Sequence, residues 1–271
     1  MTVARSISRA IAAVVEQLEL DGDLLVTTAR LADVLRGVGG QPGAAGKVAY
    51  ELQRAGWLGQ LRTRHAWEFI PGSRGGVYGS GDRFIEFRAQ LAVNPSWPGV
   101  LAMESAASVL GLAQRIPERE VVALPAGEKI PKALDAEWRN VGLQLPKTCI
   151  TAMNELPTWN TEGLIFGISV RPAGYRDIQG LGQWLPDAAG RVDIDRIGEL
   201  LAIARPAARQ RLAYILGAGG NSAARSALVR RYPPEDVAWL GPRAAGTGFF
   251  ESETKVNDTL LYRYLGIGTG S

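Results

Sequence analysis

The chain has one histidine, His65, inside the run Arg62-Thr63-Arg64-His65, and one cysteine, Cys149, between Thr148 and Ile150. Any Ser/His/Asp or Cys/His arrangement would have to be built around that single imidazole, and beside two arginines a phosphate contact is the better use of it. Cys149 reads as a small buried residue. Asp193 and Asp195 have the Asp-x-Asp spacing with which two carboxylates on one face of a strand hold a divalent cation. No Gly-Ser motif precedes them, however, and they open a helix-like stretch, Ile194 to Ala204, where acids suit the macrodipole. Gly40 to Lys47, GQPGAAGK, approaches a phosphate-loop pattern, but its spacing is off by one residue and Val48 stands where a magnesium-binding hydroxyl is needed. It reads as a turn entering a helix, whose N-terminus can still hold a phosphate. Gly217 to Gly220 reads as a helix end. The expectation is no catalytic residue, no metal site and no cofactor.

The elements that carry the remaining polar residues form an ordered series. Ser6 to Glu19 reads as a helix, with Ser6 as N-cap and Ile7, Ile11, Val14, Val15 and Leu18 on one stripe. After Asp21-Gly22-Asp23 come the apolar run Leu24-Leu25-Val26 and a second helix, Thr28 to Gly37, with Thr28 as its cap and Leu31, Val34 and Leu35 inward. Val38-Gly39-Gly40-Gln41-Pro42-Gly43 cannot continue that helix and makes the turn. In a third helix, about Ala44 to Ala55, inward Val48, Leu52 and Ala55 leave Lys47, Tyr50, Glu51 and Arg54 outward, with Gln41 and Ala44 near the leading end. Gly56 suits the left-handed position that ends a helix. A hairpin follows, GWLGQLRTRHAWEFI (Gly56 to Ile70), in which Trp57, Leu58, Leu61, Trp67 and Phe69 are apolar and Trp57 and Trp67 face the core. Arg62, Thr63, Arg64 and His65 form its tip.

That order is the order of a winged helix–turn–helix, in which the third helix presents its outer, N-terminal face to the major groove and cations on the hairpin lie at phosphates or in the minor groove. The DNA-binding residues expected on this basis are Thr28, Gln41, Ala44, Lys47, Tyr50, Arg54, Arg62, Thr63, Arg64 and His65. The charge asymmetry is local: residues 41 to 67 hold Lys47, Arg54, Arg62 and Arg64 against Glu51 alone.

The whole chain balances 30 basic against 27 acidic residues over 271 positions, a net of +3, which suits a site-specific binder better than a polycation. At 46% hydrophobic it can bury real cores, and one cysteine permits no internal disulfide. The N-terminal stretch lacks an uncharged apolar core, so it does not read as a signal peptide, and no segment approaches the ~18 apolar residues of a membrane span. The expected location is cytoplasmic.

Pro71 to Gly81 is dense in glycine and places a domain junction there, giving a DNA-binding domain at 1–75 and a larger domain at 82–271. In the larger domain Trp97 to Leu110 reads as a helix ending at Gly111, and Arg119 to Leu124 as a strand. Gly163 to Val170 (GLIFGISV) reads as a β-leaning run. Asp193 to Arg205, Pro206 to Leu216 and Ser222 to Tyr232 read as helices, and Gly246 to Leu265 is open between strand and helix. The fold class is α/β (α+β): an N-terminal winged helix–turn–helix and a larger mixed α/β C-terminal domain.

Three segments in order, Gly-Trp-Leu with its basic hairpin, MESAASVLGL (Met103 to Leu112) and ARQRLAYILGAGG (Ala208 to Gly220), resemble the AbiEi family of antitoxins. The resemblance spans nearly the whole chain and rests on helix-packing residues. Many relatives carry an Arg-Gly-x-Tyr wing, where this chain has Arg62-Thr63-Arg64-His65-Ala66-Trp67, which alters the wing contacts. It implies an N-terminal winged helix, a C-terminal antitoxin domain, a nucleotidyltransferase-like toxin as partner, and repression of its own operon through promoter repeats. The expected function is therefore a non-enzymatic, sequence-specific DNA-binding regulator that acts as antitoxin, with duplex DNA and the toxin as partners and a possible homodimer on DNA. The alternative is an enzyme in which the winged helix docks and residues 82–271 hold a nucleotide-dependent active site.

Overall fold

The computed structural model describes residues 9–74, 79–244 and 246–265 and divides into two compact units: residues 1–97 with 131–136, and residues 98–130 with 137–271. In the first, helix α1 (Arg9–Leu20), strand β1 (Leu25–Thr27), helices α2 (Thr28–Gly37) and α3 (Ala45–Arg54), strands β2 (Leu58–Gln60) and β3 (Ala66–Phe69) and helix α4 (Ile85–Val93) follow one another. The strands form one antiparallel sheet in the order β1-β3-β2. Its core joins Val14 and Leu18 of α1, Leu31 and Val34 of α2, Val48 and Leu52 of α3, and Leu58 and Phe69 of the hairpin. This is the residue set that the helical and hairpin periodicities point inward. The N-cap proposed at Ser6 lies outside the described residues.

One local expectation changes in this unit. Thr27, not Thr28, caps α2: it is the last extended residue of β1, as a cap requires, and its side chain accepts a hydrogen bond from Arg30 N at 3.1 Å. Thr28 is already helical, and its Oγ1 is buried with no hydrogen-bond partner among the described residues. Trp57 and Trp67, half-buried, pack against this core as the hairpin's alternation implies. Trp57 stacks on Phe69 with ring centroids 6.5 Å apart, and Trp67 Nε1 donates to Gln53 Oε1 at 3.2 Å.

The first unit also runs past the junction expected at Pro71 to Gly81. Gly72 N donates to Glu19 Oε1 at 2.7 Å, Ser80 N donates to the Glu68 carboxylate, and α4 packs on β1 and β3 with Phe87 and Ala89 fully buried. Glycine density marks a permissive backbone; carboxylates from distant positions then supply that backbone with partners. Phe87 meets Trp97 edge to face at 5.3 Å, at the end of the unit.

The second unit holds a five-stranded mixed sheet in the order β6-β5-β4-β8-β7, built from β4 (Val100–Leu101), β5 (Glu120–Leu124), β6 (Trp138–Gly142), β7 (Ile150–Met153) and β8 (Leu156–Trp159). Helices α5 (Met103–Val109), α6 (Thr161–Val170), α7 (Ile178–Ala189), α8 (Gly198–Ile203), α9 (Pro206–Ala218) and α10 (Ser222–Arg231) accompany it. A second sheet, in the order β10-β11-β9, contains β9 (Ala238–Leu240), β10 (Phe249–Glu251) and β11 (Val256–Asp258), so the ambiguous tail contains two of its strands. The fold class is α/β.

Two expected elements differ. The helix at Trp97 to Leu110 starts only at Met103, because Pro98-Gly99 breaks it and Val100–Leu101 is a strand. Gly163 to Val170 is not a strand but most of α6, buried from Glu162 to Ser169. A helix buried on all sides has no polar face and so no 3.6-residue period. Its glycines serve close approach instead: a Cβ at Gly167 would stand 2.4 Å from the Trp159 ring. The readable signal was the cap, since Asn160 accepts from Gly163 N at 2.8 Å and Glu162 lies in the first turn.

Among the described residues no helix is long and apolar enough to cross a membrane, and no group of three His, Cys, Asp or Glu is placed to hold a metal ion. Asp193 and Asp195 sit at the head of a short 3-10 turn rather than on a strand, with Asp195 N donating to Asp193 Oδ1 at 3.0 Å. Burial raises the Cys149 thiol above its ordinary pKa.

Candidate nucleic-acid interface

α3 is sharply two-faced. Ala45, Val48, Ala49 and Leu52 are buried, while Gly46, Lys47, Tyr50 and Arg54 are exposed, a stripe at helical spacing. The Lys47 side chain is 80% exposed and reaches Glu51 only at 3.9 Å, an ion pair that contributes little in water. The Arg54 guanidinium lies 5.8 Å from the centroid of the Tyr50 ring, which presents a flat apolar and cationic surface together. Ahead of the helix, Gln41 is exposed and Pro42–Ala44 forms a 3-10 turn. No side chain caps α3; the 3-10 turn runs directly into it, with Ala44 N donating to Gln41 O at 3.0 Å and Ala45 N donating to Pro42 O. Ala44 is half-buried.

Gln53 couples this helix to the hairpin. It donates to Gln60 Oε1 at 3.3 Å and accepts from Trp67 Nε1, contacts that help set the angle between α3 and β2–β3. At the tip Arg62, Arg64 and His65 are exposed. His65 adopts φ 65, a left-handed conformation uncommon outside glycine, asparagine and aspartate, and its carbonyl accepts from Thr28 N at 3.1 Å.

Thr63 departs from the expected role. It is 6% exposed, and its hydroxyl and N–H both donate to Glu86 Oε2, at 2.9 and 3.1 Å, while Arg62 N donates to Glu86 Oε1 at 2.5 Å. Thr63 is a fastening point of the tip, not a contact surface. Thr28, with its buried hydroxyl, is likewise unavailable to a ligand. The structure thus groups Gln41, Lys47, Tyr50 and Arg54 on one exposed stretch and Arg62, Arg64 and His65 on another, within one compact unit. Sequence reasoning missed Glu86. An acid in the first turn of α4 marks a helix start, but nothing in its spacing says that it closes on residues some two dozen positions earlier.

Two other cations of the unit, Arg30 and Arg36, pair with acids of the same unit. Arg30 donates from Nε to Asp23 Oδ2 at 3.0 Å and from Nη2 to Asp21, and the Asp23 hydrogen bond is the main cause of its raised pKa. Arg36 pairs with Asp33 at 2.7 Å.

Fold and surface together define an α/β protein in which a helix-and-hairpin unit with a basic exposed face precedes a larger mixed unit. The chain is similar to the Rv2827c protein of Mycobacterium tuberculosis, known from its crystal structure: 27% of residues are identical, the TM-score is 0.79, and the match covers 97% of this chain and 95% of that one. No family model and no curated protein sequence matches the chain.

Proposed function

We propose that the first unit is a winged helix–turn–helix and that the protein is a sequence-specific, non-enzymatic DNA-binding regulator, which represses its own operon and acts as the antitoxin of a toxin–antitoxin pair. The observation that carries the DNA reading is the pairing of an exposed Lys47-Tyr50-Arg54 stripe on α3 with an exposed Arg62-Arg64-His65 tip in one unit. The element order and the sheet order β1-β3-β2 support it, because winged helices that use their third helix in the major groove have a comparable order of elements. The antitoxin reading, the nucleotidyltransferase-like toxin as partner and a homodimer on promoter repeats rest on the resemblance of Met103 to Leu112, Ala208 to Gly220 and the hairpin to AbiEi proteins; the cytoplasmic location rests on the sequence alone, in which no segment approaches the length of a membrane span.

A gel-shift titration on the protein's own promoter, repeated at several salt concentrations, tests the DNA reading. Lys47→Ala or Arg54→Ala should weaken operator binding by about 1–3 kcal/mol where the residue reaches a base edge, with little change in melting temperature. Arg62→Ala/Arg64→Ala should flatten the dependence of log K on log salt by about 0.9 for each phosphate that is no longer neutralised. Unchanged affinity and unchanged slope across these variants would remove DNA binding from the reading.

A further inference from the structure

The geometry points to a binding site for a small phosphate-bearing molecule in the larger unit, in a recess where Arg115, Arg119, Arg139 and Arg176 converge around Glu104 and Tyr175. The recess has a volume of 290 Å³, at the lower edge of the ~300–1,000 Å³ typical of small-molecule sites.

Its floor is built rather than incidental. Glu104, in the first turn of α5, is 4% exposed. One of its oxygens accepts from the Arg139 guanidinium. The other accepts from Arg176 N and, at 3.3 Å, from Asp177 N. Arg139 also donates from Nη1 to Gly174 O at 2.6 Å. The loop that carries Arg176 is therefore fastened at both sides of its arginine. Gly174 lets that loop lie directly on α5, since a Cβ there would stand 2.9 Å from Met103 Cε. Met103 itself is held at φ 48, a strained conformation for a non-glycine residue that tends to occur at ligand sites.

The charges leave room for an anion. Four guanidinium groups face three acids. Two of these acids are committed: Glu104 as above, and Asp177 to capping α7, where it accepts from Gly180 N at 3.1 Å. No salt bridge joins Arg115 or Arg176 to an acid among the described residues. Burial is the main reason Arg139 falls below its ordinary pKa. Glu104 offsets part of that effect, and the charges of Arg176 and Arg119 deepen it. A phosphate relieves that repulsion and suits planar forks that bind oxyanions bidentately. A second recess of 550 Å³ shares Ala113, Arg115 and Asp177 and adds Gln114, Gln179 and Gln183, whose amides can hydrogen-bond the rest of a ligand. The site is independent of the DNA reading.

Isothermal titration of the full chain with inorganic phosphate, pyrophosphate and AMP tests it. Saturable binding of one molecule per chain is expected for at least one probe. Arg115→Ala/Arg176→Ala should weaken it at least about tenfold, as expected when a charge-assisted hydrogen bond is removed, while Arg62→Ala/Arg64→Ala leaves it unchanged. Arg176→Lys, which keeps the charge but not the fork, should fall between. Tighter AMP binding would assign the second recess to the organic part of the ligand. Tighter pyrophosphate binding would assign a bare oxyanion. Either supports the site. No saturable heat at millimolar probe, undiminished binding in Arg115→Ala/Arg176→Ala, or weakened binding in the hairpin variant instead would overturn it.

Discussion

In the smaller unit the carboxylates of Glu19, Glu68 and Glu86 accept from backbone N–H groups, and the exposed positions of α3 and the hairpin tip carry Lys47, Arg54, Arg62 and Arg64. In the larger unit it is arginines that turn inward. Arg139 meets Glu104 and Gly174 O, while Arg211 donates to Trp239 O at 2.8 Å and to Ser169 O at 2.9 Å. Burial, with the Arg243 charge adding to it, holds Arg211 below its ordinary pKa. Ser169 lies in the last turn of α6, whose carbonyls have no partner within the helix, so Arg211 completes a helix end. The same residue type thus has opposite uses. Exposed cations contribute little to stability and face solvent; buried ones hold architecture and are costly to disturb.

The largest effect expected from this contrast concerns the boundary of the small unit. A fragment ending at residue 80 lacks Phe84 and Phe87, which are 7% and 0% exposed. Without the burial of these two phenylalanines it should be about 3–6 kcal/mol less stable than a fragment ending at residue 97. Urea denaturation of the two fragments measures it. Equal midpoints would return the boundary to the glycine-dense segment.

Next in size is the buried pair. Arg139→Ala leaves Glu104, whose side chain is 6% exposed, without its cation, which should cost about 3–5 kcal/mol. Glu104→Gln/Arg139→Met should recover much of that stability, because it removes both charges. A double variant no better than the single one in thermal melting would mean that the hydrogen bond to Gly174 O, not the charge pair, holds the loop.

The smallest effect is a pH dependence. Burial raises the pKa of Asp258, against hydrogen bonds from Leu261 N, Tyr214 and Leu260 N that lower it. Because the folded value lies above the unfolded one, this group's contribution is fully present below about pH 3.9, the unfolded value, and is lost as pH rises through the folded value. Asp258→Asn should remove that fall, so wild-type stability measured against the variant should decline with rising pH across that window. A flat difference curve would show that the hydrogen bonds fully offset burial.

Local pattern made the small unit largely legible. The stripe Ile11, Val14, Val15, Leu18, the turn at Val38 to Gly43 and the alternation of the hairpin each depend on neighbours a few residues apart, and all appear in the core or the turns as the spacing implies. Strand β5 and helices α9 and α10 were readable for the same reason. α6 was not, because burial on every side removes the periodicity that marks a helix.

The sequence by itself determined the α/β class, the order of three helices and a hairpin across the first seventy residues, and the two-faced character of α3. These follow from steric and hydrophobic preferences acting over one or two turns of chain. Only the tertiary structure decided that Glu86 closes on Thr63, that the unit extends to Trp97, and that Glu104 meets Arg139 across 35 positions. A carboxylate can accept from any N–H, hydroxyl or guanidinium that folding brings to it, so its partner is set by how the elements pack and not by the residues beside it.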